Sequence, residues 1–230
     1  MSANGSQVLP DAWRRRLVLP AYRVAETSRY TKTHPATISS WFNRDSSFGP
    51  ALAGRQKGQA LSYLQLVEVA FVVTARQLGI TLSEIRNTRN YFRQLFQVEF
   101  PFASLRFQTQ GIGLLLDLQE VEPVAQRERF LLGGRGGQLA WAPLLGERFL
   151  EFDYEGDLAV IWHVAGRTSP VKIDPRLNFG APTVHGIPTW AIKGRYEAGE
   201  DIDEIQDDFV LESSEVLAAL DFEGMQLRAA

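Results

Sequence analysis

The stretch Tyr22–Phe42, YRVAETSRYTKTHPATISSWF, decides how the rest of the chain is read. Val24, Ala25 and Glu26 open a first short helix. Ser28 to Pro35 form a turn, and Ala36 to Phe42 form a second helix. On that second helix Ile38, Trp41 and Phe42 are spaced to face one core, which turns Thr37, Ser39, Ser40 and Asn43 outward. Short polar side chains on the second helix of such a pair suit contacts to base edges and phosphates in a major groove. A plain buried helical pair is the competing reading.

The flanks extend the pattern. Trp13 to Pro20 reads as a short strand or arm, with Arg14, Arg15 and Arg16 placed to follow a phosphate backbone or simply to be solvated. Arg23 and Lys32 add cations beside the two helices. Residues 43–60, NRDSSFGPALAGRQKGQA, are polar and glycine-rich, and carry Arg44, Arg55 and Lys57. They suit either a basic wing beside the second helix or a flexible connector. Leu61 to Leu78 repeats apolar residues at helical spacing on more than one side, as a helix buried in a core or against a partner would. Gly79 ends it. Thr81, with Glu84 three residues on, caps a further helix running to about Phe96.

Tyr22, V-A-E at 24–26, the Thr-Ile-x-x-Trp of the second helix and Gly-Ile-Thr-Leu-Ser-Glu-Ile-Arg at 79–86 together resemble the DNA-reading module of MerR-type regulators over residues 22–96. The resemblance implies a winged helix-turn-helix. One departure follows it. Glu99-Phe100-Pro101-Phe102 breaks the chain where ligand-sensing MerR regulators carry a long coiled-coil helix. Beyond it, Leu105 and Phe107 alternate as in a strand, Gln110-Gly111 turns, and Leu114 to Leu118 returns. Gln138 to Phe149 reads as helix, and Phe149–Tyr154 with Leu158–Val164 as a hairpin about Glu155-Gly156-Asp157.

From Val171 the chain reads VKIDPRLNFGAPTVHGIPTWAI, a tightly turned segment. Three short helices follow, capped by Thr189, by Asp201 and within Glu212–Glu215. The motif IDP-x4-G-x-P-x-V-x-G-I-x-T, then R-x-x-A-G-x4-E-I, resembles a small domain of bacterial antitoxins. Joined to a MerR-like head, this resembles a VapB-type antitoxin of a VapBC pair. The resemblance implies a VapC-type partner, a PIN-domain ribonuclease toxin whose carboxylate cluster holds Mg²⁺, and repression of the chain's own operon. An arginine that pairs with those carboxylates is one way to inhibit such a site. Arg195 and Arg228 are the candidates, with Met225 and Leu227 as apolar anchors; a frayed terminus is the alternative for the last of these.

Charge is distributed unevenly. Residues 1–62 hold nine basic against three acidic side chains, residues 63–194 thirteen of each, and residues 195–230 two against eleven. The basic end suits a polyanion. The acidic last helix suits protein contact rather than phosphate, or a solvated face. With no cysteine, disulfides and thiolate chemistry are excluded. His34, His163 and His185 are scattered without metal-ligand spacing. Gly133-Gly134-Arg135-Gly136-Gly137 lacks the Lys-Ser/Thr of a phosphate-binding loop. No catalytic arrangement stands out and no cofactor is implied. No apolar run reaches the ~18 residues of a membrane span, and a cytoplasmic location is expected.

The resulting expectation is an α+β protein. An N-terminal arm (1–20) precedes a MerR-like winged helix-turn-helix (21–100), a mixed β/α middle section (101–167) and a C-terminal three-helix antitoxin-type domain (168–230). It is expected to be a non-enzymatic homodimer binding double-stranded operator DNA and a toxin. The runner-up is a stand-alone MerR-like regulator whose tail binds another protein or a ligand.

Overall fold

The structure is a computed structural model that describes residues 13–43, 49–52, 55–56, 58–107 and 148–225. The described residues form an α+β fold. Five helices come first: α1 (Arg14–Val18), α2 (Val24–Thr31), α3 (Pro35–Trp41), α4 (Tyr63–Gln77) and α5 (Leu82–Phe96). A sheet follows, with β1 (Phe152–Glu155), β2 (Leu158–Trp162), β3 (Lys172–Ile173), β4 (Pro182–Val184) and β5 (Ile187–Pro188). Three helices close the chain: α6 (Thr189–Ala198), α7 (Ile202–Phe209) and α8 (Ser213–Phe222).

Residues 14–18 are helical rather than a strand or arm. Leu17, buried to 1% exposure, anchors α1 to the core while its arginines stay outside. Pro20 ends it by forcing Leu19 into the extended region (ψ 142°). The first helix of the pair is also longer than the sequence reading placed it. It continues through Ser28 to Thr31 because Thr27, Tyr30 and Thr31 line one buried stripe. The turn is therefore only Lys32-Thr33-His34. Pro35 starts α3, where a missing N–H costs nothing.

The centre of the fold is α4. Ser62 and Gln65 form a reciprocal capping box at its start, and every residue from Leu61 to Val73 is buried. Helix α5 starts at the expected Thr81–Glu84 box. The two helices share an ion pair: Arg89 Nε reaches both Glu68 carboxylate oxygens, at 3.2 and 3.0 Å, and its NH2 donates to the Glu99 carbonyl at 2.7 Å.

The helix breaks where expected, in a 3₁₀ turn at Pro101–Ala103. The strand reading of Leu105 and Phe107 is corrected, because residues 105–107 are helical. That turn drops the Phe107 ring among Phe71, Phe92, Phe102 and Phe149, with centroids 4.9–5.5 Å away. Asp157 Oδ1 accepts from both Ser104 Oγ and the Arg106 N–H, at 2.9 Å each, so this carboxylate caps the turn rather than lying solvated in a hairpin. Gln110-Gly111, Leu114–Leu118, the 133–137 glycine run and residues 138–147 lie outside the described residues.

The sheet is an antiparallel meander in chain order. The expected hairpin β1–β2 turns at Gly156-Asp157, with Phe152 opposite Trp162. Strand β3 pairs with β2 (Trp162 opposite Ile173), and β4–β5 turns at His185-Gly186. The sheet thus runs without a break from residues 152–162 into the C-terminal segment. Two buried clusters result. One joins α1–α5 to β1, β2 and Ile173. The other joins Val171 and Val184 to α6, α7 and α8, and Val164 and Phe222 pack against both.

Thr189 does not cap α6. It is the first helical residue, and its hydroxyl donates to Glu223 Oε1 at 2.6 Å. Asp201 and Glu204 cap α7 reciprocally, and Glu212 stands at the N-cap of α8.

Candidate nucleic-acid interface

Helix α3 buries one side and presents the other. Ile38, Trp41 and Phe42 are 0–6% exposed. Thr37, Ser39, Ser40 and Asn43 are exposed. The helix is pinned by His34, whose Nδ1 accepts from the Ala36 N–H at 3.2 Å, and by Ser40, whose hydroxyl donates to the Thr37 carbonyl at 2.7 Å. Its far end is fixed by the Leu52 N–H, which donates to the Trp41 carbonyl at 2.9 Å. The exposed face of α3 is therefore polar, uncharged and rigidly mounted.

Some of the expected cations border that face. Lys32 sits exposed in the turn before α3, in the left-handed region (φ 52°). Arg23 is exposed at the start of α2, where its N–H donates to Glu26 Oε2 at 2.6 Å. Arg55 stacks over the Phe42 ring at 5.6 Å and donates to the Gln59 carbonyl at 2.7 Å, beside the C-terminal end of α3. Burial holds its pKa below the usual guanidinium value. Arg44 and Lys57 lie outside the described residues. The described part of 43–60 carries no strand.

The arginines of α1 belong elsewhere. Arg14 lies over Trp13 at 5.5 Å, and Arg16 donates to the Arg176 carbonyl at 2.8 Å. Arg176 in turn also lies over Trp13, with its centre 5.5 Å from the ring. It also binds Asp174 through Nε and NH2, and these hydrogen bonds hold its pKa above the usual value. Arg14–Arg16 thus flank a joint between α1 and the 174–176 turn. Arg15 is exposed there.

Among the described residues that joint is one of three between the head and the C-terminal segment. At the second, Gly180 (φ 80°) lies against the Tyr22 ring so closely that a Cβ would stand 2.0 Å from its hydroxyl. The Tyr22 hydroxyl is buried without a hydrogen-bond partner, and burial raises its pKa far above normal. At the third, Arg29 of α2 binds Glu223 at 2.5 Å and lies beside the stacked rings of Tyr30 and Phe222, 5.2 and 5.6 Å from their centroids.

The tail residues sort differently from expectation. Arg195 pairs with Glu200 and with Asp208 (2.6 Å) and lies 5.1 Å over the Phe209 ring. The hydrogen bonds to these carboxylates raise its pKa. Its charge is already answered within the chain. Met225 is half-buried against the second core. Leu227 and Arg228 lie outside the described residues. Asp203, Asp207, Asp208 and Glu212 are exposed along α7 and the turn after it, around a Val210 that is 89% exposed.

His163 is buried, as a structural histidine should be. Its Nε2 lies 3.0 Å from Asp153 Oδ2 and 2.9 Å from Arg167 NH1. Burial would raise the Asp153 pKa, but the hydrogen bonds from His163 and Arg167 outweigh it and hold the carboxyl below its usual range. Among the described residues no group of three or more His, Asp or Glu is arranged to hold a metal ion, and no helix is long and apolar enough to cross a membrane.

Sequence reasoning missed the buried Glu68–Arg89 pair and all three head–tail joints. A glutamate inside an otherwise apolar helix was the available signal for the first. For the Gly180–Tyr22 joint the signal was the aromatic-glycine pair Phe179-Gly180 in a turn; the Arg16–Arg176 and Arg29–Glu223 joints had no local signal.

Known proteins place these features in context. Residues 171–222 match a family model described as a protein of unknown function, DUF433. A Mycobacterium tuberculosis protein named "Putative antitoxin VapB45" is 24% identical over 229 residues, spanning 90% of this chain and 95% of that one. The crystal structure of Rv2018 from Mycobacterium tuberculosis, 21% identical, superposes with a TM-score of 0.72 over 90% of this chain and the whole of the other. The chain therefore resembles a VapB-type antitoxin along most of its length, and it shares its fold with Rv2018.

Proposed function

We propose that this chain is a non-enzymatic, cytoplasmic antitoxin that binds and inhibits a VapC-type PIN-domain ribonuclease and represses its own operon by binding operator DNA. The observation that carries the reading is the combination of a rigid α3 with an exposed polar face and end-to-end similarity to an antitoxin-named protein. In this reading residues 21–100 form the DNA-reading head, winged by the 43–60 segment, and residues 168–230 form the antitoxin-type tail. Thr37, Ser40 and Asn43 face the bases. Arg23, Lys32, Arg44, Arg55 and Lys57 hold flanking phosphates, and Arg14 and Arg15 reach phosphates farther out, while Arg16 stays in its joint with the 174–176 turn. One seven-residue recognition helix reads too few base pairs alone, so two copies bind half-sites about one helical turn apart.

The toxin surface is assigned to the tail, through its acidic α7 face and the 225–228 segment. Because Arg195 is neutralised internally, Arg228 is the better candidate to reach the toxin's carboxylates. That same pairing of Arg195 favours the second reading, a stand-alone regulator whose tail binds another protein.

Deleting the tail is a poor test, since it removes three strands from the sheet and all three joints. Point variants serve better. Thr37→Ala and Ser40→Ala should each weaken binding to the DNA upstream of the chain's own gene by about 1–3 kcal/mol, measured by fluorescence anisotropy, with toxin binding unchanged. Affinity should fall steeply with salt. Wild-type affinity in both variants, or a flat salt response, overturns the DNA assignment.

A further inference from the structure

The turn that leads into α3 ends on an exposed imidazole whose donor chemistry the fold has already set. Pro35 drives the residue before it into extended backbone, and His34 stands there with φ −57° and ψ 136°. Its carbonyl accepts from the Ile38 N–H and its Nδ1 from the Ala36 N–H, each at 3.2 Å. The turn behind it is closed as well. The Thr33 N–H donates to the Ser28 carbonyl at 3.1 Å, and the Thr33 hydroxyl donates to the Thr31 carbonyl at 3.2 Å. Backbone and ring are therefore both held. A ring nitrogen that accepts carries no proton, so the neutral His34 ring carries its proton on Nε2. Among the described residues Nε2 has no hydrogen-bond partner. A donor fixed in place and left facing solvent is preorganised for an acceptor outside the chain.

We propose that His34 reads DNA together with α3, its Nε2–H donating to the edge of a guanine in the major groove. His34, Thr37 and Ser40 recur every three residues, so the imidazole stands one turn ahead of the two hydroxyls on the same side of the helix, and all three are exposed. The leading end of a recognition helix is the part that reaches base edges. The three side chains differ in what they can offer. A hydroxyl both donates and accepts, and the Ser40 proton is already given to the Thr37 carbonyl at 2.7 Å. The His34 Nε2–H can only donate. Guanine presents acceptors alone in that groove, N7 and O6, whereas cytosine presents a donor. A fixed donor at this point therefore favours guanine and disfavours cytosine. Lys32, in the turn before, remains for a flanking phosphate. The inference rests on the DNA-reading assignment above and adds to it a residue that discriminates between bases.

Fluorescence anisotropy with the full chain tests it, on the duplex upstream of the chain's own gene and on versions of that duplex with each base pair of the footprint changed in turn. His34→Asn and His34→Ser separate the two roles of the ring. Both keep an oxygen that accepts from the Ala36 N–H and are favoured at the start of a helix, so both should melt with the wild type. Neither side chain is long enough to carry a donor to where Nε2–H stands. Each should bind the natural duplex about 10-fold more weakly and lose its preference for guanine at one position of each half-site, with the other preferences kept. A wild type that does not bind the natural duplex overturns the DNA assignment and the His34 contact together. A wild type that binds, with both variants keeping its affinity and its base preferences, overturns the contact alone and leaves His34 a helix cap. Variants weakened by the same factor on every duplex place Nε2–H on a phosphate and overturn the base contact.

Discussion

Replacing Gly180 by alanine probes the joint between the head and the tail most sharply. The new Cβ would stand 2.0 Å from the Tyr22 hydroxyl oxygen and 2.8 Å from the ring carbon that bears it, where ordinary contact begins at 3.4 Å. The ring would have to retreat roughly 1.4 Å, and it has little room. Tyr22 is only 4% exposed and packs against the buried Tyr63 ring at 6.4 Å, in a core of ordinary density. Overpacking of this kind costs about 1–3 kcal/mol. Alanine at a φ of 80° adds about 1–2 kcal/mol of left-handed strain. The expected loss is therefore about 2–5 kcal/mol, read as a shift of the urea midpoint by circular dichroism and tryptophan fluorescence.

Tyr22→Phe supplies the control. It removes a buried hydroxyl that has no hydrogen-bond partner, so alone it should cost under about 1 kcal/mol or even stabilise. In the double variant it should recover about 1–2 kcal/mol of the alanine penalty, because the nearest clash is with that oxygen. A Gly180→Ala protein within about 0.5 kcal/mol of wild type, the range of an ordinary surface substitution, would refute the close approach and with it the docking of the 174–180 turn on the head.

Three further outcomes follow from the same physics. Arg89→Met leaves the buried Glu68 carboxyl without its cation, so it should cost about 3–5 kcal/mol in urea unfolding, and adding Glu68→Gln should recover part of that. The Asp153 carboxyl has a folded-state pKa below its unfolded value of 3.8. Its stabilisation is present above that value and is lost as pH falls through the folded pKa, so Asp153→Asn should flatten the acid limb of a stability-against-pH curve. Val210, β-branched, 89% exposed and at φ 54° after α7, occupies a position that favours glycine. Val210→Gly should raise stability by about 0.5–1.5 kcal/mol in thermal unfolding, and a drop would mean that the side chain makes a contact worth more than its strain.

Local signals carried most of the fold. The α3 amphipathicity, the capping box at Thr81, the cap at Asp201, the break at Pro101 and the hairpin at Gly156 were legible because each depends on residues within one or two turns. Readings that depended on distant partners failed. Residues 14–18 and 28–31 are helical because Leu17, Thr27, Tyr30 and Thr31 find a core that no local pattern announces. Leu105 and Phe107 alternate like a strand, yet the phenylalanine cluster around Phe71 sets their conformation. Thr189 looked like a cap and instead answers Glu223, 34 residues away. The candidate site divides along the same line. The exposed face of α3 follows from periodicity alone. That Arg16 belongs to a joint and Arg195 to an internal ion pair depends on contacts across the fold.

The central claim is that this chain neutralises a ribonuclease, and co-expression with the product of an adjoining short PIN-domain gene tests it most directly. The account predicts a stable complex on purification, of defined mass, in which Mg²⁺-dependent ribonuclease activity is absent and returns when this chain is removed. Separate elution of the two proteins with ribonuclease activity undiminished, while this chain still binds its upstream DNA, would contradict the claim and leave a stand-alone regulator in its place.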